Sequence, residues 1–324
     1  ITGGGNYNTV VGDEAGTAIT TGDNNVAIGY ASLDALNTAS NNTAIGHNAL
    51  TLDTKGSNSV AIGKGTLANQ NFTSATDSYN VAVGSSAGND ITTGEQNTLI
   101  GGLAGDALTD ADFNVAFGKS ALSTDTLGSR STAIGTAALF TQNFTSATNT
   151  YNTAVGFYAG LALTTGTENT LIGGLAGDAI TTGVRNTAVG YNAGGSITTG
   201  DFNTAVGRTA LENVTTADGN TAVGVAAGAQ TTTGANNTAM GYLALNLNTT
   251  GTQNVAVGAT SLDANTTGSN NVAVGENALS GNTTAGDNTA VGDDALRVNT
   301  TGANNTAVGS LALDANTTAS NNTA

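Results

Sequence analysis

A segment of the form Asn-Thr/Val-Ala-Val/Ile-Gly recurs along the whole chain, and its period limits the possible folds more than any other feature. The glycine that closes the segment recurs every 17 residues, except at two places where the interval is 21. The glycines are Gly12, Gly29, Gly46, Gly63, Gly84, Gly101, Gly118, Gly135, Gly156, Gly173, Gly190, Gly207, Gly224, Gly241, Gly258, Gly275, Gly292 and Gly309. A unit of this length cannot bury an apolar face alone, so each unit must stack on its neighbours.

The recurring segment has the pattern of a short β-strand. If the Asn is position 1 and the glycine position 5, position 1 is Asn in 17 of 19 cases and position 3 is Ala in 16 of 19. Position 2 is always Thr or Val, and position 4 is always apolar. This alternation, closed by Gly, predicts a strand, and we expect position 4 to point inward, for example at Ile62, Val155 and Val257. The Asn column is expected to form a side-chain amide ladder.

Positions 9 and 12 vary together. Where position 9 is Gly, position 12 is Ile or Leu in six of seven turns, as at Gly88 and Ile91. Where position 9 is Leu in an uninterrupted turn, position 12 is Asp or Asn in seven of nine, as at Leu262 and Asn265. Close packing explains this exchange if one aliphatic side chain per turn fills a fixed volume from either position.

These patterns predict an all-β fold, a parallel β-solenoid (β-roll) with 17 residues per turn and about 18 turns. We expect residues 1–324 to form a single array, which is a segment of a longer repeat protein. At a strand spacing of about 4.8 Å, such an array is roughly 85 Å long. The 324 residues include no Pro, which fits a fold in which almost every backbone N–H is needed as a donor.

Two four-residue insertions interrupt the period, within residues 68–79 and 140–151. They lie 72 residues apart in similar surroundings, which indicates duplication of a four-turn unit. We expect both to bulge outward from the same side, with the strand register resuming beyond them. The pairs expected to stack are Val60 with Val81 and Thr132 with Thr153.

The insertions provide the candidate binding residues. Loops that leave a regular scaffold are frequent binding sites, and both insertions carry aromatic residues. The candidate binding or contact residues are Phe72, Tyr79, Phe144 and Tyr151.

The repeats resemble those of a known family. Asn25-Val26-Ala27-Ile28-Gly29 and Ser59-Val60-Ala61-Ile62-Gly63 are similar to the head repeats of YadA-like trimeric autotransporter adhesins, and similar arrays occur in bacteriophage tail fibres. The resemblance implies a left-handed β-roll and a parallel homo-oligomer, a trimer of chains side by side. The small Ala columns at positions 3 and 8 are compatible with close approach of another chain. The turn here is longer than in the adhesin heads and carries Thr-Thr-Gly.

Composition excludes several classes of function. Lys and Arg number 7 against 23 Asp and Glu, a net charge of −16, so nucleic acid is not expected as a partner. Without Cys, and with His47 as the sole His, the chain lacks thiol nucleophiles and multi-His metal sites. A calcium-binding β-roll would require Asp at a fixed position of the repeat, and Asp recurs at no fixed position here. We expect no enzymatic activity, no catalytic residues, no cofactor and no metal, and no membrane insertion by this segment.

The function expected from the sequence is that of an extracellular structural fibre, located on a cell surface or a virion. The segment would act as a rigid spacer and as an adhesin surface, with a host surface glycan or protein as its partner besides other copies of itself. One alternative is a bacteriophage tail-fibre shaft, and flanking sequence would distinguish the two. A second is an ice-binding solenoid, suggested by the Thr columns at positions 13 and 14, although only one Thr per turn can face outward in a strand.

Overall fold

The computed structural model describes residues 4–324, which contain strands and turns and no helix. The described chain is a parallel β-solenoid with one three-residue strand in each of 18 turns, which confirms the predicted fold class. It divides into two compact units, the first ending at Thr165 and the second beginning at Gly166.

The strands of the main sheet occupy positions 2 to 4 of the repeat, and four two-residue strands accompany the insertions. In the first unit the strands are β1 Thr9–Val11, β2 Val26–Ile28, β3 Thr43–Ile45, β4 Gly56–Ser57, β5 Val60–Ile62, β6 Thr76–Asp77, β7 Val81–Val83, β8 Thr98–Ile100, β9 Val115–Phe117, β10 Gly128–Ser129, β11 Thr132–Ile134, β12 Thr148–Asn149 and β13 Thr153–Val155. In the second they are β14 Thr170–Ile172, β15 Thr187–Val189, β16 Thr204–Val206, β17 Thr221–Val223, β18 Thr238–Met240, β19 Val255–Val257, β20 Val272–Val274, β21 Thr289–Val291 and β22 Thr306–Val308.

Identical repeat positions pair within each unit. In the second unit, for example, Val255 of β19 pairs in parallel with Val272 of β20. The register also resumes across both insertions, as predicted. The pairs there are Val60 with Val81 and Thr132 with Thr153.

The prediction that position 4 points inward is wrong. From β2 onward, position 3 is the buried position of each three-residue strand, whereas positions 2 and 4 lie on the outer face, with Ile62, Val155 and Val257 partly accessible. Strand alternation places positions 1 and 3 on the same face, and the Asn at position 1 is also buried. The larger side chain at position 4 suggested the core, but the core takes the small Ala.

Close packing against position 9 explains why the core takes Ala. A Cβ placed at Gly88, at position 9, would lie only 2.7 Å from Leu99 Cδ1, at position 3 of the next turn. Positions 3 and 9 therefore share one volume. The three turns with a larger residue at position 3 (Val10, Leu99 and Leu171) have Gly at position 9.

The exchange between positions 9 and 12 has the predicted cause. A Cβ at Gly88 would lie 3.1 Å from Ile91 Cδ1, so the position 12 side chain fills the space that Leu occupies in other turns. Both Ile91 and the Leu67 of the preceding turn are fully buried. Each turn thus completes the same core by one of two routes.

The predicted Asn ladder is present at position 1. The backbone N–H of Asn42 donates to Asn25 Oδ1 at 3.0 Å, and Asn42 Nδ2 donates to the Gly56 carbonyl at 2.9 Å. A second ladder runs along position 12 of the second unit, where Asn265 Nδ2 donates to Asn248 Oδ1 at 2.9 Å. These bonds link neighbouring turns or close a turn on itself, and among the ladder residues only Asn288 Nδ2 is left buried without a partner in the part of the chain described.

Four positions of the repeat adopt positive φ, and this explains several residue preferences. Position 5 has φ between 128° and 145°, a region open only to Gly. Positions 7, 9 and 17 lie in the left-handed region near 50–65° in most turns, and position 17 is often Asn, which tolerates that region better than other residues, as at Asn58 and Asn270. The turns also bond to one another, for example through the Leu50 N–H and the Thr66 carbonyl at 3.0 Å. Pro is excluded from such positions because it has no N–H to donate.

Candidate binding surfaces

Each insertion is built into the stack. The first insertion supplies β6, which pairs in parallel with β4 of the preceding turn, and the second supplies β12, which pairs with β10. The longest continuously exposed stretches are short tips, residues 73–75 in the first copy and residues 145–147 in the second. The insertions are therefore mainly structural.

The expectation that Phe72 and Phe144 are surface residues is wrong. Phe72 is 4% exposed and Phe144 is 7% exposed. The ring of Phe72 packs so closely over Gly56 that a Cβ there would lie 2.7 Å from its Cδ2. These two side chains close the core of the longer turn and are not available for contact with another molecule.

A buried polar cluster holds each insertion in place. In the first copy, Gln70 Nε2 donates to Asp53 Oδ2 at 2.6 Å and to Ser59 Oγ at 3.1 Å, and Gln70 Oε1 accepts from Asn80 Nδ2 at 2.9 Å. Asp53 Oδ1 also accepts from the Gly56 N–H at 2.9 Å. The second copy repeats this cluster with Asp125, Gln142, Ser131 and Asn152. A carboxylate can be buried here because backbone and amide donors surround it.

Tyr79 and Tyr151 are exposed, at 55% and 56%. Both stand at the end of an inserted turn, in the place of position 17, with φ of 48° and 51°. A bulky side chain is disfavoured in this backbone region, where the turn before Tyr79 uses Asn, at Asn58. The two tyrosines remain candidate contact residues.

Two further residues belong to the same column and were not predicted. Phe113 and Arg130 also occupy position 17 with left-handed backbone, and the Arg130 Cζ lies 4.5 Å from the centroid of the Phe113 ring. In the first unit the column from Tyr79 to Tyr151 thus alternates aromatic and hydrogen-bonding side chains, with Gln96 between Tyr79 and Phe113. Position 17 is Asn in 7 of its 19 occurrences, and the aromatic residues in this column are the sequence signal that indicates this surface. We call these five residues the position-17 column.

Position 4 adds an apolar side chain to the outer face of the main sheet in every turn, whereas position 2 is Thr in most turns. Position 4 carries Val, Ile, Phe or Met, and Phe117, Ile172 and Met240 are among the exposed large side chains. The Ala columns at positions 3 and 8 are buried inside the solenoid, so they do not meet a second chain as the sequence suggested. Any close approach of another copy to this sheet involves positions 2 and 4.

The two Thr columns differ in exposure. Thr266, at position 13, donates its hydroxyl to the Thr283 carbonyl of the next turn at 2.9 Å, and other turns repeat this bond. Thr267, at position 14, faces solvent. Each turn with Thr at both positions therefore displays one Thr, as expected for adjacent residues of an extended segment.

The charge of the surface is mainly negative, and partial burial changes the pKa values of some of its carboxyl groups. Half-burial raises the pKa of Asp106, Asp178 and Asp263, which all stand at position 10. Glu168 behaves in the opposite way, because the hydrogen bond and charge of Arg185 lower its pKa. Within residues 4–324, no group of three or more His, Cys, Asp or Glu side chains is arranged to hold a metal ion.

Comparison with known proteins adds no assignment. No family model matches the chain, and no curated protein matches its sequence. Residues 4–324 also lack any helix with the length and hydrophobicity needed to cross a membrane.

Proposed function

We propose that the chain is a segment of an extracellular structural fibre, on a cell surface or a virion, that acts as a rigid spacer and presents an adhesive surface. The observation that carries this proposal is the in-register stacking within each unit. Main-sheet pairs, turn-to-turn hydrogen bonds and Asn ladders link successive turns at several points of the cross-section. A stack linked in this way resists bending and shearing, which suits a spacer.

The adhesive surface in this proposal is the position-17 column. Its aromatic side chains are exposed and lie in a backbone region that disfavours them, and Tyr79 and Tyr151 have no hydrogen-bond or ring partner among the described residues. A strained backbone conformation whose side chain makes no stabilising contact within the chain is typical of residues that serve in binding. Aromatic and Arg side chains are also the types enriched at binding interfaces. A host surface glycan or protein is the proposed partner.

The proposal includes self-association into a parallel homotrimer. It is supported by the apolar side chains that position 4 exposes in every turn, because exposed apolar surface on this scale favours association. The three-fold stoichiometry rests on the resemblance of the repeats to YadA-like heads.

Replacing the aromatic residues of the column with the residue that other turns use tests the adhesive role. The triple variant combines Tyr79→Asn, Phe113→Asn and Tyr151→Asn. Its free energy of unfolding is expected to be unchanged or higher, because Asn tolerates the left-handed backbone conformation better than an aromatic residue does. Adhesion of protein-coated beads to host cells is expected to fall to the level of uncoated beads. The control is Tyr242→Ser, which removes an exposed aromatic side chain from another column. Full adhesion by the triple variant would contradict this role.

The exposed Thr column supports one other function. Position 14 is Thr in ten successive turns from Thr165 to Thr318, and each of these side chains is exposed. A regular array of hydroxyl and methyl groups is the surface expected of an ice-binding solenoid. Thermal hysteresis in a solution of the purified chain, absent after Thr233→Lys and Thr250→Lys, would establish ice binding in place of the fibre role. The features described here do not distinguish a tail-fibre shaft from an adhesin, and the neighbouring reading frames would separate the two.

A further inference from the structure

A small cavity opens on the outside of the first unit, beside the second insertion. Its volume is about 270 Å³, and Phe140, Tyr158 and Leu161 form its apolar walls. Lys119 and Thr136 contribute the polar side. A cavity of this size, near the lower end for small-molecule sites, accommodates a ligand with a single ring.

One wall of the cavity is fixed in place. The ring of Tyr158 stacks on that of Phe157 with centroids 3.8 Å apart and an interplanar angle of 21°. Tyr158 also has φ of 58°, a left-handed backbone that costs energy for a Tyr. A strained and stacked aromatic residue gives a preformed surface for another ring.

Lys119 makes the cavity suited to an anion. It is one of 7 basic residues in a chain of net charge −16, and its side chain is exposed. Within residues 4–324 it forms no ion pair, because the two salt bridges involve Arg185 and Arg297. A free cation at the edge of an apolar cavity can pair with a carboxylate whose apolar part is buried beside it.

The duplicated four-turn unit shows that these features are not required by the fold. In the first copy, Ala68, Ser86 and Asn89 stand at the positions of the three apolar wall residues. Asn89 Nδ2 donates there to the Gly65 carbonyl at 2.8 Å. The same backbone is therefore built without the rings, which indicates that the second copy carries them for another reason.

We propose that this cavity binds a small aromatic carboxylate, with its ring between the side chains of Phe140 and Tyr158 and its carboxylate on the Lys119 ammonium. A sugar acid has the same charge but needs several hydrogen-bond partners for its hydroxyls. The walls offer few of these, so the observations favour an aromatic ring. This site is separate from the position-17 column and does not depend on the adhesive role.

Calorimetric titration of the full chain with benzoate tests the site. Saturable 1:1 binding is expected for the wild type, and Lys119→Gln should weaken it about ten-fold, as expected for the loss of one charge-assisted hydrogen bond. Leu161→Asn, which introduces the residue of the first copy, should abolish it. Lys64→Gln, which removes another exposed Lys that also stands at repeat position 6, should leave the affinity unchanged.

Three results would overturn the proposal. The first is wild-type protein that takes up benzoate without saturation, and the second is equal affinity in the Lys119→Gln variant. The third is glucuronate binding as tightly as benzoate, which would make the cavity a sugar-acid site. Benzyl alcohol, which keeps the ring and lacks the charge, should bind at least about ten-fold more weakly than benzoate.

Discussion

At the scale of single residues, backbone conformation decides which substitutions the repeat accepts. Position 5 is Gly in all 18 turns because its φ is open only to Gly and because the next turn approaches closely. A Cβ at Gly101 would lie 2.6 Å from the carbonyl carbon of Gly118. A Cβ at the neighbouring Gly102 would lie no closer than 3.9 Å to another residue, the Ser85 carbonyl oxygen, and the φ of Gly102 is not in the positive region.

This adjacent pair of glycines provides a matched prediction. Gly101→Ala should lower the free energy of unfolding by about 3 kcal/mol or more, since the added methyl group is both strained and in collision. Gly102→Ala should change it by less than about 0.5 kcal/mol. Denaturant unfolding followed by circular dichroism measures both, and equal effects of the two substitutions would show that position 5 is not constrained in this way.

At the scale of one turn, the sequence predicts the strand, its register and the exchange between positions 9 and 12, because all of these follow from periodic patterns. The direction of the strand side chains was predicted wrongly. The larger apolar side chain at position 4 favoured that position as the buried one. The stronger signal was alternation, because position 3 lies on the same face of the strand as the Asn ladder at position 1. The position of Phe72 could not be predicted, because its burial depends on the cluster around Asp53, which forms between turns.

The buried cluster predicts that an Asp and an Asn are not equivalent at position 12. Asp53 accepts a hydrogen bond from Gln70 Nε2 with one carboxylate oxygen and from the Gly56 N–H with the other. In Asp53→Asn one of these two oxygens becomes an NH₂ group, so a donor then faces a donor. The expected cost is about 1–3 kcal/mol of unfolding free energy. The double variant Asp53→Asn with Gln70→Glu restores a donor facing an acceptor and should recover part of this loss. No recovery in the double variant would show that the pair is not coupled as the distances indicate.

At the scale of the whole molecule, an excess of acidic groups makes stability depend on pH. The net charge is −16, and burial raises the pKa values of Asp106, Asp178 and Asp263 above the ordinary 3.8. A carboxyl group whose native pKa exceeds its unfolded value binds its proton more tightly in the folded state. Its protonation therefore stabilises the fold.

Stability is accordingly expected to rise as the pH falls from 7 through these raised native pKa values towards 3.8. The variant with Asp106→Asn, Asp178→Asn and Asp263→Asn should show a smaller rise. Glu168→Gln is the control with the opposite pH dependence. Arg185 lowers the pKa of Glu168, so the stability that the ionised Glu168 contributes is lost as the pH falls. Thermal unfolding midpoints across this range measure the effect. A midpoint that falls steadily on acidification would contradict the prediction.

Self-association through position 4 is the central proposal about the whole molecule, because position 4 carries an apolar side chain on the outer face in every turn. Val189 and Val206 lie on neighbouring strands of that face. Replacing both with Lys leaves the core untouched and charges the surface, so it should separate the copies without unfolding them.

Sedimentation equilibrium tests this claim most directly. The wild type should give a mass three times the 31.5 kDa of one chain, and the Val189→Lys, Val206→Lys variant should give the mass of one chain with an unchanged circular dichroism spectrum. A wild-type mass of one chain over the whole accessible concentration range would contradict the account, as would a trimer that persists in the variant.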